Sequence, residues 1–189
     1  MRLHTNKRGI RAMGVAESFL PGKPRSILGG VVMRGDGVID GAGIGKTTVG
    51  GDDATNSIAS LVKRQLRNDI NAVLVSGCVL SLYNIVDPEA LSRKTKLPVV
   101  CLTYKETSGI EGSIRRRFPE TAEAKLAAYR RLGERDRVPL ASGGSVFVRA
   151  SGISLTDTKK LLDIFTTQGA IPEPIKVARL FARAVSAKL

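Results

Sequence analysis

Residues 27–55, ILGGVVMRGDGVIDGAGIGKTTVGGDDAT, decide the fold, because they divide in two incompatible ways. Read for phosphate chemistry, Gly41-Ala42-Gly43-Ile44-Gly45-Lys46-Thr47-Thr48 looks like the Gly-x-x-x-x-Gly-Lys-Thr loop that cradles nucleotide phosphates. That loop needs glycine where Asp40 stands, a carboxylate facing the would-be phosphates. It also needs a helix starting at the lysine, so that amides converge on the phosphate. Here Val49-Gly50-Gly51 would break such a helix at once, and the next strand ends in Ser76 where a magnesium-binding Asp is wanted. Read for backbone, the same residues are two strands, Ile27 to Met33 and Val38 to Val49, joined by a tight turn at Arg34-Gly35-Asp36-Gly37. The hairpin is the better account, and no nucleotide cofactor is expected.

Outward from the hairpin, Ile10 to Phe19 reads as a preceding strand and Leu20 to Pro24 as a turn. On the other side, Asp53 is a plausible N-cap for a helix Ala54 to Arg67, with Ile58, Leu61, Val62 and Leu66 on one face. Val73-Leu74-Val75 is wholly apolar, as in a strand covered on both faces. Asp87 caps a short helix to Thr95, and Pro98 to Leu102 is another buried strand. Capping also accounts for Asn84, which brackets the same turn. Basic helical stretches follow at Ile110 to Phe118 and Glu120 to Leu132, then a last strand at Val146-Phe147-Val148. Ser154 caps a helix Leu155 to Thr167, and Pro174 opens a final helix to about Ala187. Hairpins first and alternation afterwards imply one α/β domain over residues 1–189, built on a mixed sheet.

The chain has 189 residues, and 30 Lys+Arg against 17 Asp+Glu give a net charge of +13. At 42% hydrophobic it can bury a core, so a folded body carries that charge. A polyanion is the natural partner, and a generally basic surface without a dedicated ligand is the alternative. Cys78, Cys101 and the lone His4 cannot build a disulfide framework or a four-ligand zinc site. The single histidine also argues against Ser-His and Cys-His triads. No apolar signal region follows the basic N-terminus, and the uncharged run Ile70 to Val86 is broken by Asn71, Ser76, Gly77, Ser81 and Asn84. A soluble protein of a reducing cytoplasm, with no membrane partner, is expected.

Two basic groups stand out, the first in a stretch from Pro174 onward that holds no acidic residue. Lys176, Arg179 and Arg183 share one face of the final helix, and Lys63, Arg64 and Arg67 end the first. These six suit contacts to the phosphates of DNA or RNA, and a solvated helix face accounts for them equally. Around Arg115-Arg116-Arg117, glutamates are interleaved and surface pairing is expected. Aromatic residues are scattered, so no stacking platform is expected; Tyr83, Tyr104 and Phe147 read as core or rim.

Two blocks add a family resemblance. Thr48-Val49-Gly50-Gly51-Asp52-Asp53-Ala54-Thr55, with Asn84-Ile85-Val86-Asp87 and Leu97-Pro98-Val99-Val100, resembles the archaeal family known as domain of unknown function 99. Ile153-Ser154-Leu155, followed by Gly169-Ala170-Ile171-Pro172-Glu173-Pro174-Ile175-Lys176, is similar to the C-terminal block of endonuclease V. Both resemblances imply a ribonuclease H-like (endonuclease V-like) mixed sheet flanked by helices.

In such nucleases the resemblance implies several carboxylates converging on two divalent metals, Mg2+ or Mn2+. The candidates here are Glu17 and Asp52 as catalytic residues, and Glu17, Asp52 and Asp53 as metal ligands. The chain departs from the pattern, however. Ala16 stands where the nuclease has its first-strand Asp, and Ser76 where the next strand ends in Asp. Glu17 faces the other side unless a bulge re-aims it. The Gly-His-Arg before Ile-Ser-Leu and the Pro-Tyr-Ile-Pro wedge are both missing, so recognition of deoxyinosine is not inherited. The favoured expectation is a nucleic-acid-binding protein with a degenerate metal site. An active metal-dependent endonuclease and a non-enzymatic protein-interaction module are the alternatives.

Overall fold

The computed structural model describes residues 9–105 and 109–188. The chain runs β1 (Arg11–Ser18), β2 (Arg25–Arg34), β3 (Ile39–Thr48), α1 (Ala54–Lys63), β4 (Ala72–Val75), β5 (Val79–Leu80), β6 (Asn84–Ile85), α2 (Pro88–Thr95), β7 (Val99–Thr103), α3 (Glu111–Arg117), α4 (Ala122–Arg131), β8 (Asp136–Pro139), β9 (Ser145–Ser151), α5 (Leu155–Phe165) and α6 (Glu173–Ser186). The opening stretch is the hairpin, with Gly30 opposite Gly43 and Leu28 opposite Gly45. Seven strands form one sheet in the order β3-β2-β1-β4-β7-β9-β8. The centre, β1-β4-β7, is parallel, and the remaining neighbours are antiparallel.

Strand side chains alternate between two covered faces. Met13 and Val15 of β1 join Ile58, Leu61 and Val62 of α1 and Leu91 of α2. Ala12 and Ala16 join Leu161, Leu162 and Phe165 of α5 and Ile175 and Ala178 of α6. On that second face α6 lies with its backbone against the sheet. A β-carbon on Gly14 would stand 2.3 Å from the carbonyl of Pro174, and one on Gly29 would stand 2.3 Å from the carbonyl oxygen of Ala178.

Two of the three caps read from sequence form as hydrogen bonds, and the third, at Asp53, does not. Asp87 accepts from the Ala90 amide at 2.9 Å and Ser154 from the Asp157 amide at 3.1 Å. Two expectations change. The first helix stops at Lys63, so Leu66 lies beyond its end with a positive φ of 50° and is 92% exposed, outside the buried stripe. The polar edge strand β8 and the two-residue pair β5–β6 were not expected, because neither carries a periodic apolar pattern. Among the described residues no helix is long and apolar enough to cross a membrane.

Candidate functional site

The three candidate carboxylates lie near the C-terminal end of β1 or the start of α1, and each is held by its own donors. The β1–β2 register runs from Arg11 opposite Arg34 to Ser18 opposite Ile27 with no bulge, so Glu17 is not re-aimed toward the face of Ala16. Its Oε2 accepts from the Ser81 amide at 2.8 Å, and its Oε1 accepts from the buried Ser26 hydroxyl. Asp52 points outward with its side chain 80% exposed and accepts from Lys125 Nζ at 2.8 Å. That lysine is 3% exposed and also donates to the Gly51 carbonyl at 3.0 Å, with its ammonium 4.8 Å above the Phe118 ring. Asp52 therefore neutralises a buried cation.

Asp53 occupies the N-cap position of α1, but its side chain makes no cap bond. The carboxylate turns back to accept from Thr47 Oγ1 at 2.7 Å, the Thr48 amide at 3.0 Å, Thr48 Oγ1 at 2.9 Å and Asn84 Nδ2 at 2.7 Å. Asn84 Oδ1 instead takes the Ala54 amide at 3.0 Å, so the cap of α1 is lent by a residue from β6. Burial pushes the Asp53 carboxyl up, but the bonds from Thr47, Thr48 and Asn84 outweigh it and hold it far below the ordinary range.

A carboxyl lowered by folding stabilises the native state above its unfolded pKa of about 3.9, and that contribution is lost as pH falls toward the folded value. Stability of the wild type measured by urea unfolding is therefore expected to fall as pH drops below about 4. Asp53→Asn should be less stable at neutral pH and show a flatter acid limb. An unchanged acid limb in the variant would refute the role given to Asp53.

The positions where the resemblance implies aspartates hold a different chemistry. Ala16 is buried in the core beneath α5 and α6. Ser76, just past β4, is fixed by its amide to the Val15 carbonyl at 2.9 Å. Its hydroxyl accepts from Arg179 Nη2 of α6 at 2.8 Å. Beside them the Tyr104 phenol is pushed up to about 12 by burial, against the pull of Arg179. Divalent hard cations are held by anionic oxygens. A methyl group, a hydroxyl engaged by a guanidinium, and the guanidinium charge itself do not fit a metal pair there. Among the described residues no group of three or more His, Cys, Asp or Glu side chains is placed to hold a metal ion.

The six basic candidates separate. Lys63 and Arg183 are exposed, and Arg64 is exposed while donating to the Ile44 carbonyl at 3.3 Å. Arg67 is not unpaired. It donates to Asp40 at 2.8 Å and to Asp69 at 2.6 and 2.8 Å, in a network that Arg11 completes at 2.7 Å from Asp40. Those partners are distant in sequence or follow the helix end, which concealed them. Lys176 pairs with Glu173 at 2.6 Å, and Arg179 is directed at Ser76. Around α3 the expected pairing occurs, with Arg115 on Glu123 and Arg130 on Glu111. The tempting glycine-lysine stretch has a structural use: Gly41, Gly43 and Gly45 leave room on β3 for Arg67, Gln65 and Arg64 to lie across it. His4 lies outside the described residues.

Known proteins match this geometry. A family profile described as endonuclease dU matches residues 8–186. The UPF0215 protein of the archaeon Pyrobaculum calidifontis is 36% identical over 174 residues, covering 92% of this chain and 95% of its own. A protein of unknown function from Archaeoglobus fulgidus superimposes with a TM-score of 0.81 at 25% identity, over 93% of this chain and 98% of that one. Endonuclease V of Ciona intestinalis, solved with a DNA containing an inosine followed by a ribo-adenosine, superimposes with a TM-score of 0.64 at 13% identity. That match covers 96% of this chain and 87% of the enzyme, and it extends to the fold alone. The fold is thus the ribonuclease H-like arrangement of endonuclease V, and the chain belongs to the endonuclease dU family, an archaeal, endonuclease V-like group.

Proposed function

We propose that this chain binds DNA or RNA through the phosphate backbone, on a nuclease scaffold whose metal pair has been replaced by a fixed guanidinium. The observation that carries this is the Arg179–Ser76 bond at 2.8 Å, a permanent cation where the resemblance implies an aspartate and its metals. A guanidinium attracts phosphate without activating water, and so favours holding a strand over cutting it. The excess charge of +13 and the DNA bound by the Ciona neighbour support the same partner. Cys78 and Cys101 are both free and buried, in keeping with a reducing cytoplasm.

A second reading is favoured by the family description: a Mg2+- or Mn2+-dependent endonuclease acting on deoxyuridine-containing DNA, with Glu17, Asp52 and Asp53 as its acids. It requires Glu17 and Asp53 to surrender the donors that now hold them. Binding is tested by fluorescence anisotropy with a labelled duplex over a salt series. Log affinity should fall linearly with log salt, with a slope near −0.9 per phosphate neutralised. Affinity that is absent at low salt, or indifferent to salt, contradicts the proposal.

A further inference from the structure

We infer that two copies of this chain pair edge to edge along β3, about a two-fold axis at Ile44, so that their sheets join into one. The inference does not depend on the nucleic-acid reading. β3 is the outermost strand on its side of the sheet and ten residues long, and among the described residues no strand pairs with its outer side. β8, at the opposite edge, is four residues long, carries Asp136 and Arg137 and ends in Pro139, features that close an edge to pairing. The middle of β3, from Gly41 to Gly45, holds neither a charge nor a proline.

The ladder to β2 decides which groups of β3 are open. The Val49 amide donates to the Pro24 carbonyl at 3.0 Å, so the odd-numbered residues from Gly41 to Val49 direct their backbone groups to β2. Those of Ala42, Ile44, Lys46 and Thr48 turn outward. Thr48 is closed, its amide bonded to Asp53 at 3.0 Å and its carbonyl to Asn84 at 2.8 Å. At the other end the ladder shifts register between Val32 and Met33, and Arg67 covers the Asp40 carbonyl at 2.8 Å. The open stretch is therefore Ala42 to Lys46. Among the described residues its one donor from outside is Arg64, 3.3 Å from the Ile44 carbonyl, and that oxygen has a second lone pair for a strand.

A stretch with three outward residues is its own antiparallel partner. With Ile44 facing Ile44, Ala42 faces Lys46 and Lys46 faces Ala42, and each pair exchanges two hydrogen bonds. No two lysines face each other in this register. Ile44 stands opposite Gly29, whose β-carbon would meet α6, so it shares the α6 face and forms an apolar pair at the axis. On the α1 face, Arg64 reaches Ile44, and the Gln65 side chain fills the place of a β-carbon on Gly43. Leu66, next in the chain, is thereby brought beside the axis. It is almost wholly exposed, in a left-handed conformation with φ 50° that a leucine adopts only at a cost. A second Leu66 across the axis gives that side chain a surface to bury against. Val38 and Ile39, also exposed, stand at the ends of the paired edge. A stable interface buries roughly 1,200 Å² or more in total, so the pairing depends on these side chains as well as on the strands.

Charge works against association. Each copy carries +13, so salt that screens the repulsion strengthens the dimer, whereas it weakens binding to nucleic acid.

The test is sedimentation equilibrium of the full chain without nucleic acid, over a concentration series at about 0.1 and 0.5 M salt. A monomer–dimer equilibrium that tightens as salt rises is expected. Leu66→Gly relieves the left-handed conformation, so it should weaken the dimer at least tenfold while leaving the Tm of the monomer no lower. Ile44→Lys, which sets like charges face to face, should leave only monomer, with the circular dichroism of the wild type. Hydrogen exchange should find the Ala42, Ile44 and Lys46 amides protected at concentrations where the dimer forms and open where it does not. A wild type that stays monomeric at about 0.1 mM in the higher salt overturns the proposal. So does a dimer of undiminished affinity in both variants, or one in which those three amides stay open. Protection that arises in the monomer only when duplex DNA is added would overturn the second copy in favour of a nucleic acid.

Discussion

Gly14→Ala should destabilise the protein by about 3 kcal/mol or more, the upper end of what overpacking usually costs. The added methyl would meet the backbone of α6, at 2.3 Å from the Pro174 carbonyl and 2.6 Å from the Ile175 amide nitrogen. A flexible side chain could swing aside, but a helix backbone can yield only by moving away from β1. For a domain of this size, that cost corresponds to a Tm lower by roughly 6–12 °C. Movement of α6 would also withdraw Arg179 from Ser76, so the loss of stability should be accompanied by local loosening. Calorimetry checks the first and hydrogen exchange at the end of β4 the second. A variant within 1 °C of the wild type would mean that the approach of α6 is looser than described.

Asn84→Ala is expected to cost about 2–4 kcal/mol, because it leaves several buried polar groups without partners at once. Asn84 is fully buried, donates to Thr47 Oγ1 at 3.0 Å, the Thr48 carbonyl at 2.8 Å and Asp53, and caps the Ala54 amide. It is the clamp between the end of β3 and the start of α1. Removing it takes one of the donors from the Asp53 carboxylate and leaves those of Thr47 and Thr48, so the acid dependence of stability should weaken, but less than in Asp53→Asn. Urea unfolding at neutral pH and at about pH 3 reads both effects. Asn84→Ala with wild-type stability would refute the clamp.

Much of the scaffold was legible in the sequence for physical reasons. The hairpin could be read because Val49-Gly50-Gly51 forbids the helix that a phosphate loop needs, and the two caps because Asp87 and Ser154 act within three residues. Ala16 and Ser76, where the resemblance implies aspartates, were equally plain, and the straight β1 register left Glu17 on the far face. What escaped depends on pairing across long stretches of chain. Asn84 replaces Asp53 as the cap over 30 positions, and Arg67 finds Asp40 over 27. Arg179 was read as a phosphate contact or a solvated helix-face cation, and its bond to Ser76 spans 103 positions.

On the proposed reading, an alanine of β1 and a serine just past β4 stand where the resemblance implies anionic ligands, and Arg179 supplies a positive charge there. The acids that remain serve other partners: Asp52 a buried lysine, Asp53 the β3–α1 clamp and Glu17 two serines.

The most direct measurement incubates the protein with end-labelled, deoxyuridine-containing duplex in Mg2+ and then Mn2+, following binding and strand integrity in the same samples. Salt-sensitive binding with an intact strand, unchanged by either metal, is the predicted result. Metal-dependent cleavage that disappears in Asp52→Ala or Glu17→Ala would contradict it.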